Sequence, residues 1–192
     1  MFLIIASLIW AQTTSDQQIP PTPFGNFIEA ALGGGPLRTT AASMSGPELS
    51  LSWMQKNYTS YSWGIGLGVF LQSGTVYQED DPVTEEYEQI EDYVNGFTLS
   101  LRQRLFLEGE DSFRPYVNMN AGILLYRGKL GEYQEPVSGM DFQLGGGFGV
   151  QFFLLPLIYF YVEANFNYFL LQNNDFDNEH IISVLVGCGA AL

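Results

Sequence analysis

The stretch Tyr159-Phe-Tyr-Val-Glu-Ala-Asn-Phe-Asn-Tyr-Phe-Leu170 decides how the rest of the chain reads. Phe160, Val162, Ala164, Phe166, Tyr168 and Leu170 hold its even positions, and Glu163, Asn165 and Asn167 lie among the odd ones. Successive strand residues point to opposite faces, so this is a strand with one apolar and one polar face. Strands of a soluble sandwich alternate in the same way. What separates the two cases is how many strands share the pattern, how long they are, and what joins them.

Working outward, the same alternation predicts strands over about 27–33, 48–56, 62–72, 93–107, 114–126, 141–152 and 181–192. Their apolar faces carry Ile28 and Leu32; Leu49, Leu51 and Trp53; Ile65, Leu67 and Val69; Phe97, Leu99 and Leu101; Val117, Ile123 and Leu125; Phe142, Leu144 and Phe148; and Val184, Val186 and Cys188. The opposite faces are rich in Gly, Asn, Gln and Ser. They also carry the charges Glu29, Glu48, Lys56, Arg102, Arg104, Asp141 and Glu163. Connections alternate between long (34–46, 78–92, 127–139, 172–179) and short (near 57–60, 108–112 and 155–157).

Bulk properties narrow the class. The chain has 192 residues, 46% of them hydrophobic and 15% aromatic, with 21 glycines, which suits one β-rich domain. Its mean hydropathy is +0.05, and no internal run reaches the ~20 apolar residues of a spanning helix. The net charge of −14 argues against nucleic acid, whose phosphates would be repelled. A lone Cys188 excludes an internal disulfide or a multi-cysteine metal site. Residues 1–11, Met-Phe-Leu-Ile-Ile-Ala-Ser-Leu-Ile-Trp-Ala, form an apolar run like the core of a secretory signal, although no base precedes it. Residues 12–25, with three prolines, read as a flexible lead-in, leaving 26–192 for the domain.

An uncharged exterior around a charged interior is what lipid demands. Backbone groups in hydrocarbon have no water to bond, so such a sheet must close and leave no edge. The expectation is therefore an all-β, eight-stranded antiparallel up-and-down transmembrane barrel, with short periplasmic turns and longer extracellular loops. Trp53, Tyr58, Tyr61, Trp63, Phe106, Phe152 and Phe160 would form an aromatic girdle at the short-turn end, and Tyr77, Tyr93, Tyr126 and Tyr168 one at the other end. A soluble lipocalin-like barrel is the architectural alternative.

Residues 27–192 resemble the small eight-stranded outer-membrane barrels of Gram-negative envelopes: the OmpA transmembrane domain, OmpX, and the PorT-like group. The resemblance rests on the strand pattern and not on a catalytic motif. It implies an integral outer-membrane monomer in contact with the lipid bilayer and the outer-membrane assembly machinery. Such chains usually end in Phe, whereas this one ends in Leu192, a departure at a position that the assembly machinery reads.

Three groups of residues are candidates for chemistry. The lumen charges Glu29, Glu48, Lys56, Arg102, Arg104, Asp141 and Glu163 should form an ion network that plugs a barrel too narrow to conduct; a gated pore is the functional alternative. The acidic run Glu79, Asp80, Asp81, Glu85, Glu86, Glu88, Glu91 and Asp92 should be an extracellular loop available to a surface ligand or protein partner. It lacks the EF-hand order of ligands, so no metal site is expected. His180, the only histidine, and Ser183 are three residues apart, hence on opposite faces of a strand and unable to work together directly. Gly145-Gly-Gly147-Phe-Gly149 is followed by neither Lys nor helix and is no phosphate loop. The expectation is a non-enzymatic envelope protein with no cofactor and a structural, adhesion or partner-binding role; a lipid acyl enzyme and a narrow ion pore are the alternatives.

Overall fold

A computed structural model describes residues 25–38, 43–58, 60–81, 86–107, 113–130, 135–155, 157–170 and 180–192. The eight strands are β1 (Gly25–Arg38), β2 (Ser43–Tyr58), β3 (Tyr61–Asp81), β4 (Glu86–Phe106), β5 (Phe113–Leu130), β6 (Glu135–Leu155), β7 (Ile158–Leu170) and β8 (His180–Ala191). Each pairs antiparallel with the next, and β8 returns to β1 through pairs from Phe27–Ala191 to Arg38–His180. The sheet thus closes into an up-and-down barrel with no free edge along its wall. The apolar segment 1–11 and most of the lead-in lie outside the described residues; Gly25 already belongs to β1.

The alternation read in the sequence sets the two faces. Outward residues include Leu32, Met140, Phe142 and Phe148, each more than 60% exposed. Inward residues of the same strands include Glu29, Arg102, Arg104 and Glu163, none more than 8% exposed. The core is therefore the lumen, while the greasy surface faces away from the protein.

Strands run longer than the sequence suggests. The segment 34–46, rich in Gly and Pro, was expected as a loop. Most of it is instead paired strand, from Gly34–Pro47 to Arg38–Ser43. Weak strand propensity yields here to closure, because neighbouring strands already supply partners for its backbone. Gly35 fits since a Cβ there would run into the Ile182 carbonyl of β8. The acidic run 78–92 is likewise mostly strand. Pairs from Thr75–Glu91 to Asp81–Glu86 extend β3 and β4 as a ribbon. Among the described residues the two strands pair there only with each other, because β2 reaches only Ser73 and β5 only Tyr93.

The lumen is layered. At the end with the longer connections, Leu37, Met44, Phe70, Val94, Leu124, Tyr126, Phe169 and Ile181 pack into one buried apolar cluster, with Val137 against it. Every strand contributes to this plug, so it spans the whole cross-section. Near the short turns lies a second cluster of Phe27, Ala31, Met54, Tyr159, Tyr161 and Leu185. Polar and charged side chains occupy the space between. The expectation of a polar, charged interior holds for the middle layer and is corrected toward the ends, where the two apolar clusters share the lumen with buried polar residues such as Lys56 and Gln72. Two supposed girdle residues also turn inward, Tyr126 into the plug and Phe106 against Tyr116.

Candidate functional site

Arg104 stands at the centre of the lumen. Its position on β4, two residues from Arg102, points both guanidinium groups inward. Arg104 donates from Nη1 to Glu29 of β1 and from Nη2 to Glu163 of β7, the latter at 3.1 Å. Arg102 donates from Nη2 to the other Glu163 oxygen at 2.7 Å and from Nη1 to Ser50 at 3.3 Å. The Arg104 guanidinium is sandwiched between the rings of Tyr116 (4.7 Å) and Tyr161 (4.9 Å). The carboxylates are further satisfied by Tyr116 (2.9 Å) and Asn165 (2.8 Å) on Glu163, and by Ser52 (3.0 Å) and Tyr159 on Glu29. Two cations and two anions are thereby balanced away from water, the arrangement in which a buried pair is tolerated.

The glycines of the polar face make room for these rings. Tyr116, Tyr159 and Tyr161 each lie over a glycine directly opposite in register: Gly149, Gly189 and Gly187. Phe70 over Gly96 and Tyr126 over Gly139 repeat the device in the plug. A methyl at any of these glycines would strike the ring. Gly149, the last glycine of 145–149, thus provides a socket for Tyr116, the phenol that donates to Glu163.

The remaining predicted lumen residues face inward without forming an ion pair in this cluster among the described residues. Lys56 sits at the short-turn end over the Phe106 ring (4.9 Å). Glu48 lines a small polar chamber with Ser50, Thr98, Ser100, Arg102 and Asn167, between the ion layer and the plug. Asp141 is buried on β6. Sequence reading missed Arg114, buried and over the Phe153 ring at 5.5 Å. It shares its parity with Tyr116 and Asn118 and could have been found by that.

The described part of the acidic run is strand, not loop. Asp92 is a fully buried lumen residue and Glu91 an outward one, both within β4. Glu79, Asp80 and Asp81 belong to β3, and Glu86 and Glu88 to β4. Glu85 lies outside the described residues. His180 opens β8 on the outer face, stacked on Phe166 at 5.3 Å, while Ser183 points into the lumen. Among the described residues, no group of three or more His, Cys, Asp or Glu could hold a metal ion.

A closed antiparallel eight-stranded barrel, apolar outside and ion-paired within, defines the class: the fold is that of the small outer-membrane barrels. Neisserial surface protein A shares it at TM-score 0.67 and 12% identity, over 88% of this chain and 97% of that one. The outer membrane protein OprG from Pseudomonas aeruginosa does so at TM-score 0.50 and 13% identity, over 91% and 99%. No family model and no curated protein matches the chain.

Proposed function

We propose that the chain is an integral outer-membrane protein, exported with the help of residues 1–11. Its barrel is a closed, non-catalytic scaffold that holds the β3–β4 ribbon and the other connections of that end at the cell surface. The single observation that carries this reading is the reversed burial: Glu29 and Glu163 are fully buried while Phe148 is 70% exposed. In water such a surface would aggregate, because contiguous apolar patches of more than a few hundred Å² are rare on soluble monomers. In hydrocarbon it costs nothing. The plug and the ion layer favour a scaffold over a pore, since both lie across the lumen. The acidic ribbon supplies the surface for a partner or for structural contacts in the envelope.

Fractionation of cells expressing the full chain tests this. The protein should sediment with outer membranes, require detergent, and migrate faster on gels before heating than after. Recovery in a detergent-free soluble fraction would end the membrane reading. A lipid-acyl hydrolysis assay on the purified barrel should show no turnover; activity lost in His180→Ala would replace the scaffold with an enzyme.

A further inference from the structure

The seven bases of the chain divide into two sets. Lys56, Arg102, Arg104 and Arg114 are buried in the lumen. The other three, Arg38, Arg127 and Lys129, all lie on outward positions at the end of the strands remote from the short turns. The opposite rim, around Trp53, Trp63, Phe113, Phe152 and Phe160, carries no base on its described outward positions. Among the described residues, outward-facing cations are therefore confined to one boundary of the apolar belt.

Two of them adjoin. Arg127 and Lys129 are two apart on β5 and share its outer face, about 7 Å apart along the strand. Register places Asn95 and Ser138 on either side of Arg127, and Tyr93 beside Lys129. The next outward row toward the belt is Phe97, Leu125 and Met140, exposed by 40%, 44% and 62%. Among the described residues neither Arg127 nor Lys129 makes an ion pair, although the chain carries three acids for every base. A polar, cationic row thus sits directly on an apolar one.

We infer that this face of β4, β5 and β6 binds a phosphorylated lipid of the outer leaflet, with Arg127 and Lys129 on the phosphate and the Phe97–Leu125–Met140 row under its acyl chains. The inference rests on the membrane reading above. Charge complementarity selects a phosphate, which guanidinium and ammonium groups hold by charge-assisted hydrogen bonds. The adjoining apolar row selects an amphiphile over a free anion or an acidic peptide. Both basic side chains are long enough to lay their stems on the belt and keep their heads in the headgroup layer.

The test uses the full chain refolded in zwitterionic micelles, with bisphosphorylated lipid A as probe and the same glycolipid without phosphates as control. Retention is read by native mass spectrometry, and folding by heat-modifiable migration. The wild-type barrel should retain the phosphorylated lipid selectively. Arg127→Gln/Lys129→Gln should weaken retention by about thirtyfold while still migrating as a folded barrel. Equal retention of the two lipids, or a folded double variant that binds like wild type, overturns the site and leaves the barrel in its membrane. Inorganic phosphate that displaces the lipid overturns the choice of an amphiphile. A chain that stays soluble without detergent removes the membrane reading and this site together.

Discussion

Glu163 touches Arg102, Arg104, Tyr116 and Asn165 at once, so among the described residues no other side chain carries as many charge-assisted contacts. Glu163→Gln keeps its shape but leaves two guanidinium groups with only the Glu29 carboxylate between them. The expected loss is about 3–5 kcal/mol, the cost of an uncompensated buried charge, read as a lower urea midpoint for the detergent-folded barrel. Arg104→Met should also melt lower. Because it strands Glu29, the double variant Glu29→Gln/Arg104→Met should lie closer to wild type than the sum of the two single changes. An additive double variant would mean that the two groups do not act as a pair. Glycines separate in the same way. Gly149→Ala strikes the Tyr116 ring and should cost about 1–3 kcal/mol. Gly146→Ala, on the outer face with only the Asn118 carbonyl near, should cost less in the same measurement.

Among the elements, the β3–β4 hairpin extends furthest beyond what its residues suggest. Acidic side chains are depleted in strands, so a run such as 78–92 reads as a loop. Pairing from Thr75–Glu91 to Asp81–Glu86 shows that the two strands persist because each supplies the other with backbone partners. Charges along such a ribbon also discourage edge-to-edge association. Since among the described residues it pairs with no other strand, replacing residues 76–90 by a short Gly-containing turn should leave heat-modifiable migration and the urea midpoint nearly unchanged. A chain that no longer folds would show that the ribbon nucleates the barrel. The plug behaves oppositely. Phe169→Ala should cost about 3–5 kcal/mol in urea unfolding, because Phe169 is buried against side chains from several other strands.

At the scale of the molecule, period-two alternation gave the sequence reading its strand count, order and sidedness, because one parity holds along each strand across the barrel wall and shifts only at bulges near strand ends, as at Phe153/Leu155. The pairing of Glu163 with Arg102 and Arg104 was not legible, since parity says which face a side chain shares but not which neighbour it meets across the lumen. The plug was missed for a related reason. Leu37, Met44 and Phe70 fall in or beside segments rich in Gly and Ser, where an inward apolar residue looks like an interruption of a polar face. Together these layers predict an electrically silent barrel: planar bilayers containing the reconstituted chain should show no unitary current. Phe169→Ala should also remain silent, because the ion layer lies beneath it. Stable current steps from the wild type would mean that both layers part together.

Because the apolar stopper takes a residue from each strand in turn, no subset of strands can build it. A seven-strand intermediate, however well paired along its length, would expose Phe70, Phe169 and Leu124 to whatever water fills the open trough. Docking of β8 onto β1 therefore does more than join two edges: it dries the throat. Closure should behave as a latch, with the last seam setting the all-or-none character of assembly.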